Sequence, residues 1–110
     1  MSLTLCVLIW AQPGAAAGLV AYEERVLRLA GEHGCEVLQR ASASGASPGG
    51  ASPGGAGGQP AEIQFLRFPS AGAFDGFMAD PRRQLLAGER DEVVAKTEVI
   101  KVDLIERPGS

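Results

Sequence analysis

Residues 62–81 read EIQFLRFPSAGAFDGFMADP. The first seven, Glu62–Phe68, alternate as a strand does. Ile63, Phe65 and Arg67 fall on one side, and Gln64, Leu66 and Phe68 on the other. Phe68-Pro69-Ser70 closes the strand, and Ser70 is a good helix N-cap. Phe74, Phe77 and Met78 then mark the buried stripe of a helix. Gly72 and Gly76 each weaken that helix by about 1 kcal/mol relative to Ala, so packing must hold it. Asp80-Pro81 is a second start signal, an N-cap followed by Pro at the first helical position.

Upstream, residues 42–60 are a different material, with no charge and no large apolar side chain. Ala46-Ser47-Pro48-Gly49-Gly50 recurs as Ala51-Ser52-Pro53-Gly54-Gly55. Such a stretch buries too little to offset its ordering entropy, and it reads as a flexible insert lengthening a β-hairpin. It lacks the Lys-Ser/Thr and following helix of a phosphate cradle. Residues 1–110 therefore read as a single domain, because the parts on either side of the insert are each too small for a core.

Leu3–Trp10 is a continuous apolar run, the pattern of a strand buried on both faces. Pro13-Gly14 turns the chain, and Ala16–His33 repeats at helical spacing. Leu19, Tyr22, Val26, Leu29 and His33 form its apolar stripe, while Glu23, Glu24, Arg25, Arg28 and Glu32 read as the other side. Gly34 stands at the C-cap, and Cys35–Ala41 reads as a strand. Beyond Pro81 a short helix is expected to about Ala87. Glu89–Ala95 is open between coil and a last helical turn, Thr97–Ile105 is the final strand, and 106–110 is a tail.

The order is β-α-β-β-α-β, the split ferredoxin-like arrangement of the α+β class. It predicts a four-stranded antiparallel sheet with two helices on one face. The uncovered face is apolar as well, a larger patch than soluble monomers tolerate. The expected assembly is a homodimer with its sheets face to face, a dimeric α+β barrel.

Composition narrows the function classes. Ten Lys and Arg against thirteen Asp and Glu give a net charge of −3 with no basic block, so no nucleic-acid partner is expected. The longest wholly apolar run, Leu5–Ala11, is far short of the ~20 residues of a membrane helix, and no membrane partner is expected. No cation precedes that run, so it does not read as a signal peptide. Cys6 and Cys35 read as buried free thiols of a reducing cytoplasm. One His and two distant Cys offer no metal site. No nucleotide fingerprint or Ser-His-Asp arrangement is present, so no cofactor is expected.

Tyr22, the segment His33–Arg40, Phe68-Pro69-Ser70, Ala73, Asp80-Pro81 and Arg90 fall in an order and spacing that resembles the domain of unknown function 1330 family. The resemblance spans most of Leu3–Leu104 apart from the insert. Members are similar to dimeric α+β barrel proteins, a superfamily that includes cofactor-independent monooxygenases, dye peroxidases and natural-product cyclases. It implies a dimer with a small cleft between sheet and helices in each protomer, and carries over no reaction. Many relatives have an acidic residue before Phe-Pro-Ser where this chain has Arg67.

Four residues are candidates for a ligand site: Trp10, Tyr22, His33 and Arg67. Trp10 either plugs the barrel end or forms a flat pocket wall. Tyr22 lies on the apolar stripe, and its hydroxyl needs a partner in the core or on a ligand. His33 either complements the helix dipole or transfers a proton. Arg67 alternates with Ile63 and Phe65, so it is expected on a buried face, where a guanidinium must be paired. Its alternatives are an ion pair with Glu62, Asp103 or a partner-chain carboxylate, or an anion clamp. Reading strands one and three as parallel neighbours places Trp10 and Arg67 at one edge of the sheet. Arg82, Arg83 and Arg90 with Glu89 and Asp91 read as a solvated charged face. Two functions follow. One is a small-organic-molecule-binding protein. The other is a cofactor-independent enzyme of monooxygenase, cyclase or isomerase type in bacterial secondary metabolism.

Overall fold

The computed structural model describes residues 1–44 and 58–105. Its elements are β1 (Leu3–Ala11), α1 (Ala16–Gly31), β2 (Glu36–Ser42), β3 (Glu62–Phe68), α2 (Ala71–Met78), a 3-10 turn (Pro81–Leu86), α3 (Ala87–Val93) and β4 (Val94–Lys101). The core of the hairpin insert and the 106–110 tail lie outside the described residues.

The strands form one sheet in the order β2-β3-β1-β4, and every neighbouring pair is antiparallel. This is the ferredoxin-like α+β fold, with its helices on one face. The β1–β3 register pairs Thr4 with Arg67 and Ile9 with Glu62. Expecting those strands to be parallel is therefore wrong. The α1 crossover returns β2 parallel to β1, and the following hairpin reverses β3. Trp10 and Arg67 accordingly lie at opposite ends of the ladder.

The inner face carries Leu5, Val7 and Ile9 of β1 and Leu66 and Phe68 of β3, all buried. Leu19, Tyr22, Leu29 and Ala30 of α1 and Phe77 of α2 pack onto them. Phe68 is wholly buried, and its ring meets Phe74 edge-on at 5.3 Å between centroids. The Ser70 hydroxyl accepts from the Ala73 amide at 3.0 Å, capping α2.

Three boundaries differ from expectation. Helix α1 ends at Gly31 rather than His33, and a turn follows in which Gly34 takes φ +84°. Glu89–Ala95, open in sequence, is divided between α3 (Ala87–Val93) and the start of β4. Between Ala87 and Val93 the helix carries no apolar side chain, so its helicity rests on docking against α1 rather than on an amphipathic period. Strand β4 begins at Val94, three residues early, and ends at Lys101. The ladder nonetheless reaches one residue further, since the Val102 amide donates to the Thr4 carbonyl at 3.0 Å.

Candidate functional site

The inner face is not wholly apolar. Glu62 and Gln64 alternate with Leu66 and Phe68 along β3, and both are buried. Glu23 of α1 joins them at 7% exposure, so placing it on the solvent side is corrected. It lies four residues after Leu19 and three and seven before Val26 and Ala30, in the middle of the buried stripe. Helical spacing alone contained that signal, and the residue's charge concealed it.

Gln64 joins the two carboxylates. Its Nε2 donates to Glu62 Oε2 at 2.7 Å and to Glu23 Oε1 at 2.7 Å. Arg40 of β2 grips Glu62 with two bonds, Nε to Oε2 at 2.8 Å and Nη2 to Oε1 at 3.0 Å, and also reaches Glu24. A bidentate guanidinium is the geometry that makes a buried carboxylate tolerable. Glu23 has no such cation. Burial above all, and then the charge of Glu62, raise its pKa, while Gln64, Arg40 and Arg90 pull the other way.

Glu23 borders a cavity of about 270 Å³ between the sheet and the helices. Leu5, Val7, Val26, Leu66, Phe68 and Phe77 give it apolar walls, and Tyr22, Glu23, Gln64, Arg83 and Arg90 supply polar groups. Tyr22, Val26, Met78, Arg83 and Arg90 also line an adjoining recess of about 310 Å³ beside the 3-10 turn. Those five residues thus form the shared boundary, or neck, between an apolar chamber and a more polar vestibule. The Tyr22 phenol is pushed above its ordinary pKa by burial and by Glu23, so at neutral pH it is a hydrogen-bond donor.

Arg83, half-buried, and Arg90, exposed as a solvated face would have it, are the cations of this neck. The Arg83 guanidinium lies 5.1 Å from the Phe77 ring centroid, and its Nη1 donates to the Met78 carbonyl at 3.0 Å. The Arg90 side chain makes no hydrogen bond or ion pair among the described residues. The segment that bears them has no apolar period, so nothing in its sequence pointed to a cavity.

Of the four sequence candidates, Tyr22 alone lines this cavity. Trp10 is on the opposite face of the sheet, its Nε1 donating to the Gly58 carbonyl at 2.7 Å and its ring under Lys96 at 4.7 Å. Arg67 is also on that face, with a side chain 40% exposed and only a loose 3.9 Å pairing to Glu36. It is not deeply buried, and its pairing with Glu62 or Asp103 is replaced by Glu36. His33 sits past the end of α1, its Nε2 at 2.8 Å from Asp80 Oδ2 and its ring edge-on to Phe77. Asp80 keeps its capping role, with Oδ1 accepting from the Arg82 amide at 2.9 Å. Hydrogen bonds from Arg82 and then His33 hold its carboxyl well below the usual carboxylate range.

Cys6 and Cys35 are free and half-buried. Burial pushes the Cys35 thiol up to about 11, so it is no nucleophile at neutral pH. Among the described residues no group of three His, Cys, Asp or Glu is placed to hold a metal ion, and no helix is long and apolar enough to cross a membrane.

No family model matches the chain, and no curated protein is significantly similar to it. Solved structures do resemble it. The RPA0582 protein of unknown function from Rhodopseudomonas palustris superposes with a TM-score of 0.71 at 16% identity, over 96% of this chain and 84% of that one. SnoaB, a cofactor-independent oxygenase from Streptomyces nogalater, gives 0.65 at 10% identity, over 99% and 98%. A NIPSNAP family protein of unknown function from Agrobacterium tumefaciens gives 0.65 at 16% identity, over 92% and 86%. At these identities the likeness shows the fold alone.

Proposed function

We propose that this protein binds a small, mainly apolar organic anion in the chamber between its sheet and helices. The observation behind this reading is the neck. Two guanidinium groups, one without a hydrogen-bonding partner among the described residues, stand where an apolar chamber opens into a polar recess. A flat hydrocarbon body fits the chamber, and a carboxylate or enolate oxygen meets Arg83, Arg90 and the Tyr22 hydroxyl at its mouth. The chamber is at the small end of ligand pockets, which start at about 300 Å³, so one or two fused rings are its limit.

The same reading takes the protein as a homodimer of the kind implied by its resemblance to the domain of unknown function 1330 family. On the outer face Leu8 pairs with Ile63, and Cys6 with both Phe65 and Ile100. Around this apolar strip stand Thr4, Gln39, Arg67, Lys96 and Glu98, the polar rim usual for an interface. The half-buried free thiols favour a reducing, cytoplasmic setting. Trp10, His33 and Arg67 are not part of the proposed site, whereas Tyr22 is.

The test is titration with 2-naphthoate followed by its fluorescence. Saturable binding is expected, weakened about tenfold or more by Arg90→Met and abolished by Val26→Trp, which fills the chamber. Equal binding by wild type and Val26→Trp would place the ligand elsewhere and end this reading.

A further inference from the structure

We propose that Glu23 is a proton-transfer residue, and that the chamber catalyses a 1,3-proton shift in an enolisable carbonyl compound. This deepens the binding site proposed above and rests on it.

Two carboxylates share one amide. Gln64 gives one N–H to each of Glu62 and Glu23. Glu62 is neutralised by the bidentate Arg40 and is 2% exposed. A structural network would be complete there. Glu23 adds a second buried carboxyl with no cation of its own, which is costly for stability alone. Among the described residues its side chain makes one hydrogen bond, through Oε1. Among the described residues no buried side-chain oxygen lacks a partner, so Oε2 retains accessible surface. The chamber is what Glu23 borders, and under this proposal Oε2 is turned toward it.

The groups that face Glu23 come from several elements. On β3 are Gln64 and Glu62, on β2 Arg40, on α3 Arg90, and beside it on α1 Tyr22. Burial leaves the carboxyl a stronger base than a free glutamate, and general bases raised in this way work near neutral pH.

The step balances without oxidant or reductant. Glu23 Oε2 takes the proton from the carbon next to the carbonyl. The C–H pair forms the carbon–carbon double bond of an enolate, and the carbonyl pair moves onto oxygen. The Tyr22 hydroxyl and the Arg90 guanidinium are the donors that stabilise this oxyanion. Glu23 then returns the proton, to the same carbon or to the γ-carbon of a β,γ-unsaturated substrate. In the second case the carbonyl re-forms and the product is the conjugated isomer.

The experiment uses 2-tetralone, a bicyclic enolisable ketone of chamber size, in deuterium oxide with the full-length protein. Exchange of the α-protons is followed by NMR, and binding by displacement of 2-naphthoate. Exchange about 100-fold or more above buffer is expected, the scale of general base catalysis. Glu23→Gln should lose that acceleration and keep binding within about threefold. Glu23→Asp should retain part of it, and the wild-type rate should fall as pH drops and Glu23 takes up its proton. Binding of 2-tetralone with exchange no faster than buffer, or exchange unchanged in a folded Glu23→Gln protein, overturns the proton-transfer role while leaving the binding site in place. Absence of 2-tetralone and 2-naphthoate binding overturns both readings.

Discussion

The two faces of the sheet are made by the same strands and leave opposite things unsatisfied. The inner face, under the helices, holds charge in an apolar setting: Glu23, Gln64 and Glu62, all buried. The outer face holds apolar side chains in an open setting: Cys6, Leu8, Ile63 and Phe65 are only half-buried, and Ile100 is 46% exposed. A buried carboxyl with no opposite charge bonded to it and an exposed apolar strip are both costly, so each face implies something beyond the lone protomer. The inner face points to a ligand or proton, and the outer to a second copy. Four experiments probe the two faces.

The largest effect is expected on the inner face. Arg40→Met strands the Glu62 carboxylate at 2% exposure. Removing one member of a buried ion pair costs about 3–5 kcal/mol, to be read from urea denaturation. Adding Glu62→Gln should recover most of the loss, because the charge that needed Arg40 is gone. A loss under about 1 kcal/mol in the single variant would mean that water reaches Glu62 and that the inner face is not sealed.

Next is the outer face. Phe65→Lys puts a charge opposite Cys6 and Gln39 in the middle of the apolar strip. Light scattering at micromolar concentration should show the proposed dimer fall to half its mass while circular dichroism stays unchanged, since Phe65 does not enter the inner core. An unchanged mass would show that this face is not the interface.

Much of this contrast was legible in the sequence. The period-2 alternation of Glu62–Phe68 assigned each β3 residue to its side, because a strand has only two sides. The element order also implies the antiparallel direction of β1 and β3, against the parallel reading, and that direction separates Trp10 from Arg67. The buried role of Glu23 was written at i−4, i+3 and i+7, where Leu19, Val26 and Ala30 stand. Two features were not legible. Arg83 and Arg90 come to the neck through a 3-10 turn and a helix whose sequence has no apolar stripe, so only tertiary docking places them. The pairing of Arg40 with Glu62, rather than Arg67 with Glu62, depends on the β2–β3 register. That register contains an irregularity between Val37 and Gln39, and no spacing rule predicts a bulge there.

A smaller effect is expected at the turn that lowers α1 onto the inner face. Gly34 has φ +84°, and a Cβ there would lie 2.8 Å from Pro69 Cγ and 3.0 Å from Cδ. Gly14 has φ +75° with nothing within 4 Å. Both pay the left-handed penalty of about 1–2 kcal/mol on substitution by Ala, but only Gly34→Ala also displaces a proline. Gly34→Ala should therefore be the more destabilising of the two by thermal melting. Equal melting temperatures would show that the Pro69 ring moves aside freely and that this turn does not hold the helix in place.

The smallest effect carries a sign. Burial raises the folded-state pKa of Glu23 above its ordinary value of 4.5. A raised carboxyl binds its proton more tightly in the folded protein than in the unfolded chain, so its contribution to stability is full below about that ordinary value. It is lost as pH rises through the folded pKa, where the buried group must ionise. Glu23→Gln keeps the shape and an oxygen for Gln64 to bond, but has no proton to lose. The variant should match wild type near pH 4 and exceed it above neutrality, read as the higher melting temperature of the two. The comparison is between the two proteins at each pH, which cancels the titration of every other carboxylate. A variant that is less stable at high pH would mean that ionised Glu23 gains more from Arg90 and Arg40 than burial takes away. The carboxylate would then be a structural member of the network like Glu62, and the inner face would owe nothing to a ligand.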